Sequence, residues 1–189
     1  MHPLSSQTFS ASVGTRPRKA WSVAYTRAVV GALLPARLRA AGTIAPQSGG
    51  NALACPLWTR ASVELRTYIV EDNATIRDNL IDALHELASV KTLGWSATEN
   101  AAREWIAGHG TQWDLVIVDL FLQQGSGLGV LEACQGRSRA QRVVVLSNYA
   151  TSDVRKRCAQ LGADAVFDKS NEIDALVDYC LALGERASR

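Results

Sequence analysis

The sequence predicts an α/β protein, a three-layer sandwich in which helices cover both faces of a parallel five-stranded sheet. One observation on the sequence and one rule of chain topology predict this class. From residue 63 onward, five short apolar runs rich in β-branched residues alternate with five segments of helical character. Parallel neighbours are joined by right-handed crossovers, which place the helices against the faces of the sheet. About 125 residues are enough to bury a core of this size.

The first two strand–helix pairs are indicated by apolar periodicity and by one capping pattern. Runs of Val, Ile and Leu mark the strands, and apolar residues three or four positions apart mark the first helix. Ser96 and Glu99 have the spacing of a capping box, in which each side chain satisfies a free N–H of the first helical turn. The segments in order are the strand 63–70, the helix 73–89, the strand 90–95 and the helix 96–106.

The other three pairs are marked by strand composition and by residues that begin or end helices. Thr151 or Ser152 can cap the fourth helix, and Gly162 can end it in the left-handed conformation. Ser170 or Asn171 can cap the fifth helix. The segments in order are the strand 115–118, the helix 128–134, the strand 142–146, the helix 151–161, the strand 165–167 and a helix reaching residue 181 or beyond.

Charge divides the chain into two parts. Residues 1–63 contain seven Lys or Arg and no Asp or Glu, while the remainder contains 18 acidic and 13 basic residues. The two parts therefore carry +7 and −5, which gives the net +2 of the whole chain. We expect a basic, largely disordered extension and linker over residues 1–62 and one domain over residues 63–185. Composition leaves open whether the extension is a targeting segment, a DNA contact or upstream sequence from a wrongly chosen start codon.

The composition also argues against several functional classes. The four cysteines form no C-x-x-C pair and the three histidines do not cluster with them, so no zinc site is expected. No stretch is long and apolar enough to span a bilayer. DNA binding is not expected, because the net charge is only +2 and no recognition helix is evident. These features are typical of a cytoplasmic protein in a reducing compartment.

Polar side chains follow four of the five predicted strands, at the point where each strand ends. The pair Glu71-Asp72 follows the first strand, Asp119 the third, Ser147 the fourth and Lys169 the fifth. Because the carboxyl ends of parallel strands meet at one edge of the sheet, these side chains are expected to share a pocket. Carboxylates, a hydroxyl and an ammonium together suit a divalent cation and a phosphoryl group.

These motifs, in this order, resemble the receiver domain of response regulators in two-component signal transduction. The resemblance covers roughly Glu64 to Gly184 and implies a flavodoxin-like fold with strand order 2-1-3-4-5. It also implies a regulatory phosphoacceptor domain that is not an enzyme, although it assists its own phosphorylation and dephosphorylation. The matching segments are Tyr68-Ile69-Val70-Glu71-Asp72-Asn73, Asp119-Leu120-Phe121-Leu122, Gly125 to Leu131, Val145-Leu146-Ser147-Asn148, and Gly162-Ala163-Asp164 with Asp168-Lys169-Ser170.

The resemblance assigns a role to each polar residue. Asp119 is expected to accept a phosphoryl group from a phosphohistidine on a sensor histidine kinase or a phosphotransfer protein. Mg²⁺ is the expected cofactor, held by Asp72, Asp119 and the backbone carbonyl of Phe121, with Glu71 acting through water. Crowded carboxylates at this edge would need such a cation.

Two further residues complete the expected phosphoacceptor site. Lys169 is expected to pair with a phosphoryl oxygen as a point charge. Ser147 is expected to donate its hydroxyl to another phosphoryl oxygen after phosphorylation.

Two departures from the family pattern concern the fifth strand and the loop after it. Ser170 follows Lys169 where many receivers have proline, and a cis bond before a residue other than proline costs about 2.5–4 kcal/mol. The position three before Lys169, which often holds a rotating aromatic, is Val166, and Phe167 should face the opposite side of the sheet. The expected switch residues are therefore Ser147 and Val166, with a movement led by the hydroxyl group.

Two aromatic residues are expected to control access to the phosphoryl group. Phe121 lies two residues after Asp119, and Tyr149 lies two residues after Ser147. The hypothesis is that both rings hinder hydrolytic water and prolong the phosphorylated state. The alternative is that Phe121 only packs against a neighbouring helix.

Output and competing functions follow from the same pattern. The readout surface is expected on the fourth helix, the fifth strand and the fifth helix, where a second copy or an effector protein would bind a receiver that stands alone.

One alternative function is a pseudo-receiver, a scaffold that binds partners without phosphorylation. Another is an aspartyl-phosphate phosphatase of the haloacid-dehalogenase type, which would want an acidic residue where Phe121 stands.

Overall fold

The computed structural model describes residues 64–187, which form five strands and five helices in strict alternation. The strands are β1 (Leu65–Val70), β2 (Val90–Ser96), β3 (Leu115–Val118), β4 (Arg142–Ser147) and β5 (Ala165–Asp168). The helices are α1 (Ala74–Ala88), α2 (Glu99–His109), α3 (Gly127–Ala133), α4 (Ser152–Gln160) and α5 (Ile173–Ala187). The expected basic extension over residues 1–62 lies outside the described residues.

All five strands lie parallel in one sheet with the order β2-β1-β3-β4-β5, as predicted. The chain leaves β1 toward β2 on one side and then crosses back to place β3 on the other side. Val70 and Val118 are paired in register at the carboxyl ends of β1 and β3. The residues that follow these two strands therefore emerge next to each other, at the point where the strand order reverses.

The core has two layers, one on each face of the sheet. Every residue of β3 is buried, because helices cover this central strand on both faces. Val116 and Val118 pack with residues of α2, α3 and α4, whereas Leu115 and Ile117 pack with residues of α1 and α5. This alternation, with a period of two, fixes which side chains of each strand face which group of helices.

Three helices begin where the sequence places a capping side chain. Asn73, Ser126 and Thr151 each accept a hydrogen bond from a backbone N–H of the first turn of α1, α3 and α4. Gly162 follows α4 with a φ of +89°, the left-handed conformation predicted for it.

The predicted starts of the other two helices are wrong. The side chain of Thr98, not Ser96, caps α2 and accepts from the N–H of Ala101. Ser96 instead ends β2, because strand pairing with Val70 extends to that residue. Helix α5 begins at Ile173, so Ser170 and Asn171 lie in the preceding loop rather than at its cap.

Several sequence expectations concern single features of the described chain. Cys134, Cys158 and Cys180 are free thiols buried in the core, while Cys55 lies outside the described residues. None of the peptide bonds within residues 64–187 is cis, so the Lys169–Ser170 bond is trans. Among the helices of the same residues, none has the length and apolar character needed to cross a membrane.

Candidate functional site

Lys169 occupies the centre of the polar edge of the sheet. Its Nζ donates a hydrogen bond to Oε2 of Glu71 and another, at 2.7 Å, to Oδ2 of Asp119. Lys169 is 1% exposed and Glu71 is 2% exposed, so the ammonium group is held between two carboxylates away from solvent. A buried ammonium needs such partners, because taking a charge out of water without compensation is costly.

Asp72 joins these two carboxylates in a compact acidic cluster. One carboxylate oxygen from each of Glu71, Asp72 and Asp119 lies within 4.8 Å of the others. With all three ionised, the cluster and the ammonium of Lys169 together carry a charge of −2. Oxygen ligands at this separation fit a small divalent cation such as Mg²⁺, which prefers carboxylates and keeps several waters.

Burial and neighbouring charges act against each other on Glu71. Desolvation by burial is the largest influence and raises the pKa of Glu71, and the positive charge of Lys169 lowers it. The negative charge of Asp119 raises this pKa again, and the N–H of Asn73, which donates to Oε1 of Glu71 at 3.1 Å, lowers it. The net pKa of Glu71 is raised above its ordinary value, so ionisation of this carboxyl is resisted.

The backbone around Asp119 is tightly held. The N–H of Asp119 donates to the carbonyl oxygen of Val70 at 2.9 Å, which continues the β1–β3 ladder by one bond. The N–H of Phe121 donates to Oδ1 of Asp119 at 3.2 Å and restricts the carboxylate to one orientation. A Cβ at Gly127 would lie 2.2 Å from the carbonyl oxygen of Asp119, so only glycine lets α3 begin this close to the site.

Ser147 is brought to the same edge by β4. It is fully buried, its Oγ accepts from the N–H of Tyr149 at 3.4 Å, and its carbonyl oxygen accepts from the N–H of Lys169 at 3.1 Å. The second bond extends the β4–β5 pairing to the residue that carries the ammonium. Ser147 and Lys169 are therefore positioned by one continuous backbone ladder.

Phe121 and Tyr149 form an exposed aromatic pair beside the acidic cluster. Their ring centroids are 5.0 Å apart at an interplanar angle of 63°, an edge-to-face contact. Phe121 is 49% exposed and Tyr149 is 53% exposed, so both rings also face solvent. The sequence predicts that these two residues act together, and the structure places their rings in direct contact.

Val166 and Phe167 lie on opposite faces of β5, as the alternation of side chains predicts. Val166 packs against the layer formed with α2, α3 and α4. Phe167 is buried in the other layer and makes an edge-to-face contact with Tyr179 at 5.8 Å. No aromatic side chain of β5 therefore points toward α4.

Arg155 makes a set of contacts beside the site that sequence reasoning missed. Its guanidinium donates to the carbonyl oxygens of Ala150, at 3.0 Å, and of Val166, and it pairs with Oε2 of Glu172 at 2.6 Å. Glu172 also accepts from the N–H of Asp168 at 2.6 Å. One side chain thus ties α4 to the loop after Ser147, to β5 and to the start of α5. No local pattern signals this role, because all its partners are distant in sequence or are backbone atoms.

The chain matches the family model described as the response regulator receiver domain over residues 67–180. It is 27% identical over 100 residues to the photosynthetic apparatus regulatory protein RegA of Rhodobacter capsulatus, which covers 53% of this chain and 49% of that protein. The chain thus spans about half the length of that relative.

Solved receiver structures share the fold. The signal receiver domain of NarL from Mycobacterium tuberculosis matches with a TM-score of 0.57 and 22% identity, over 65% of this chain and 97% of that one. A response regulator from Burkholderia pseudomallei, solved with a phosphorylated aspartic acid, a calcium ion and citrate, matches with a TM-score of 0.54 and 18% identity. That match covers 66% of this chain and 71% of the other.

Proposed function

The chain belongs to the family of response regulator receiver domains, and we propose that Asp119 is its phosphoacceptor. The observation that carries this proposal is the position of Lys169, whose buried ammonium bridges Asp119 and Glu71 next to Asp72. A receiver domain is a regulatory module of two-component signalling rather than a typical enzyme. The donor class we propose is therefore a phosphohistidine on a sensor histidine kinase or a phosphotransfer protein.

In the proposed transfer, a carboxylate oxygen of Asp119 attacks the phosphorus atom. A P–O bond forms while the P–N bond to the imidazole breaks. The imidazole nitrogen keeps the electron pair of the broken bond, and the ring takes up one proton from solvent. The chain contributes mainly position and charge in such reactions. The bond from the N–H of Phe121 holds one carboxylate oxygen of Asp119 in place, and the ammonium of Lys169 is near enough to neutralise charge on the phosphoryl group.

The acidic cluster fits Mg²⁺, and the proposed ligands are Asp72, Asp119 and the backbone carbonyl of Phe121, with Glu71 acting through water. When bound, the ion would offset the negative charge of carboxylates and phosphoryl oxygens. The three carboxylate oxygens that lie within 4.8 Å of one another support this assignment. The calcium ion in the phosphorylated Burkholderia pseudomallei protein of the same fold is consistent with a divalent site in such domains.

Phosphorylation would act on partner binding through a population shift. The phosphoryl group carries about −1.5 to −2 charge and replaces the −1 of the Asp119 carboxylate, and a bias of a few kcal/mol can reverse a two-state equilibrium. Ser147 is proposed to donate its hydroxyl to the new phosphoryl group, which would draw the loop after β4 toward the site. Arg155 contacts that loop, β5 and Glu172 of the segment before α5, so a movement there would reach α4, β5 and α5. We propose this surface as the site for a second copy or an effector protein.

The decisive experiment is incubation of the full chain with phosphoramidate or acetyl phosphate and Mg²⁺, followed by intact-mass measurement. A single phosphate adduct is expected in the wild-type protein and in the control Asp82→Ala, which removes an exposed carboxylate of α1. Asp119→Ala should lose the adduct. The absence of an adduct in wild-type protein would favour a phosphorylation-independent scaffold, and sustained phosphate release from many phosphate esters would favour a phosphatase.

A further inference from the structure

Two glycines, one just before α3 and one inside it, leave a space that a single side chain fills. Gly129 lies inside α3, where glycine costs helix stability relative to alanine. A Cβ at Gly129 would lie 2.0 Å from Oε1 of Glu99, and a Cβ at Gly125 would lie 2.4 Å from the Cβ of Glu99. The side chain of Glu99, from the first turn of α2, therefore occupies the volume that two ordinary residues would take.

Glu99 is also bonded to the segment that contains these glycines. Its Oε2 accepts from the N–H of Ser126 at 2.8 Å, and its own N–H donates to the carbonyl oxygen of Gln124 at 3.1 Å. Arg103 lies one turn later in α2 and donates to Oε1 of Glu99 and to the carbonyl oxygen of Gly129, both at 3.4 Å. Side chain and backbone of one residue thus fasten residues 124–126 to α2.

The fastened segment leads directly to the proposed phosphoacceptor. Ser126 caps α3 by accepting from the N–H of Leu128 at 3.2 Å. The next residue, Gly127, donates its N–H to the carbonyl oxygen of Leu120 at 3.1 Å and lies against the backbone of Asp119. The hydrogen bond between Gly127 and Leu120 therefore closes the loop that follows Asp119. Glu99 holds the C-terminal part of this loop, residues 124–126.

We infer that Glu99 is a positioning residue that fixes the loop after Asp119, and with it the backbone carbonyl of Phe121, for binding a divalent cation. This inference rests on the proposed function for the identity of the ligands. Glu99 is not one of the carboxylates of the acidic cluster, and in this inference it acts through Ser126 and Gly127. Replacing a residue that orients metal ligands without binding the metal itself commonly lowers metal affinity about 10–100-fold.

The first test measures binding of Mn²⁺, used as the probe ion, by electron paramagnetic resonance. We expect Glu99→Ala to weaken Mn²⁺ binding about tenfold. Glu99→Gln keeps an acceptor oxygen for the N–H of Ser126 and should stay close to wild type. Glu104→Ala, which removes an exposed acidic residue of the same helix, is the matched control and should not change the affinity. Equal Mn²⁺ affinity in Glu99→Ala and wild-type protein would overturn the inference.

A double-mutant cycle separates positioning from a general loss of stability. Gly129→Ala places a methyl group against the carboxylate of Glu99 and should displace it, so this variant should weaken Mn²⁺ binding as Glu99→Ala does. In the Glu99→Ala background the space is empty, and Gly129→Ala should then have no additional effect on the Mn²⁺ affinity. Full additivity of the two losses would contradict a shared cause.

Hydrogen exchange of the metal-free proteins gives a readout without any ligand. Amides of residues 119–126 should exchange faster in Glu99→Ala than in wild-type protein, with β5 unchanged; equal exchange would overturn the inference. The proposed function fails separately, through the absence of a phosphate adduct on Asp119. If wild-type protein acquires no adduct but Glu99→Ala still weakens Mn²⁺ binding and loosens this loop, the role of Glu99 stands and the acceptor assignment falls.

Discussion

The ammonium group of Lys169 lies 2.7 Å from Oδ2 of Asp119, although 50 positions separate the two residues in the sequence. The same ammonium group also donates to Glu71, so the side chain of Lys169 holds two buried carboxylates together. Removing one partner of a buried ion pair costs about 3–5 kcal/mol because the remaining charge is left uncompensated. The arrangement therefore makes Lys169 important for stability as well as for the proposed chemistry.

We predict that Lys169→Met lowers the free energy of unfolding by about 3 kcal/mol in the presence of a chelator. Mg²⁺ should restore more stability to this variant than to wild-type protein, because the ion would replace the missing positive charge. Urea unfolding with EDTA and with Mg²⁺ measures both effects. Lys156→Met, at an exposed position of α4, is the control. An unfolding midpoint for Lys169→Met equal to that of wild-type protein would contradict the prediction.

Glu71 gives a pH dependence of defined sign in the metal-free protein. The pKa of Glu71 is raised in the folded state by burial, so its contribution to stability is fully present below the unfolded pKa. That contribution is lost as pH rises through the folded pKa. Glu71→Gln does not titrate, and its single amide oxygen keeps one of the two acceptor contacts, to Lys169 or to the N–H of Asn73. The stability of wild-type protein minus that of Glu71→Gln should therefore fall between about pH 4 and neutrality. Urea unfolding in EDTA at several pH values measures this difference, and a difference that rises with pH would refute the assignment.

The sheet and the acidic edge could be predicted from sequence because their signals are local. Strand runs end directly before Glu71, Asp119 and Ser147 and one residue earlier before Lys169. Parallel topology brings these strand ends together without any knowledge of side-chain packing. The family assignment is confirmed by the match over residues 67–180, and the strand order by the structure.

The parts that sequence reasoning missed depend on contacts between distant segments. Glu99 was assigned to a capping box with Ser96, yet its carboxylate bonds Ser126, 27 positions later. The sequence signal that could have indicated this role of Glu99 is Gly129. A glycine within a predicted helix indicates that another group occupies the place of its side chain. Arg155 gave no comparable signal, because it belongs to the run Arg155-Lys156-Arg157, and a short basic run in a helix is compatible with many environments.

Arg155 and Glu172 give a pH dependence opposite to that of Glu71. Hydrogen bonds from the guanidinium of Arg155 and from the N–H of Asp168, in that order, lower the pKa of Glu172. The stability from Glu172 is therefore present above its unfolded pKa and is lost as pH falls through the folded pKa. The pair is partly exposed, so its own contribution should be below about 1 kcal/mol.

We predict that the larger effect of Arg155→Met is local. This variant leaves the carbonyl oxygens of Ala150 and Val166 without the guanidinium and should speed hydrogen exchange across residues 148–152. Glu172→Gln should change that exchange less, because it keeps Arg155 on both carbonyls. Arg157→Met, an exposed position of α4, serves as the control. Faster exchange in Glu172→Gln than in Arg155→Met would contradict the assignment.

Gly127 and Gly108 form a matched pair for testing the close approach of α3 to Asp119. A Cβ at Gly127 would lie 2.2 Å from the carbonyl oxygen of Asp119, a backbone atom that cannot move aside easily, whereas nothing lies within 4 Å of a Cβ at Gly108. Gly127→Ala should destabilise the protein by about 1–3 kcal/mol through overpacking. Gly108→Ala should stabilise α2 by up to about 1 kcal/mol. Thermal unfolding measures both, and a stabilised Gly127→Ala would show that the approach is looser than described.

The contact between Phe121 and Tyr149 predicts a long-lived phosphorylated state. The two rings meet edge to face, and the backbone N–H groups of the same residues bond Asp119 and Ser147. We expect these rings, each about half exposed, to hinder the approach of water to the phosphoryl group. Replacing both with asparagine should speed loss of phosphate several-fold, about 1 kcal/mol in barrier height. The measurement is the decay of the phosphate adduct by intact mass after removal of the donor. Leu93→Asn, at an exposed apolar position of the edge strand β2, is the control for added surface polarity. Unchanged decay in the double variant would leave Phe121 as a packing residue only, the alternative that the sequence left open.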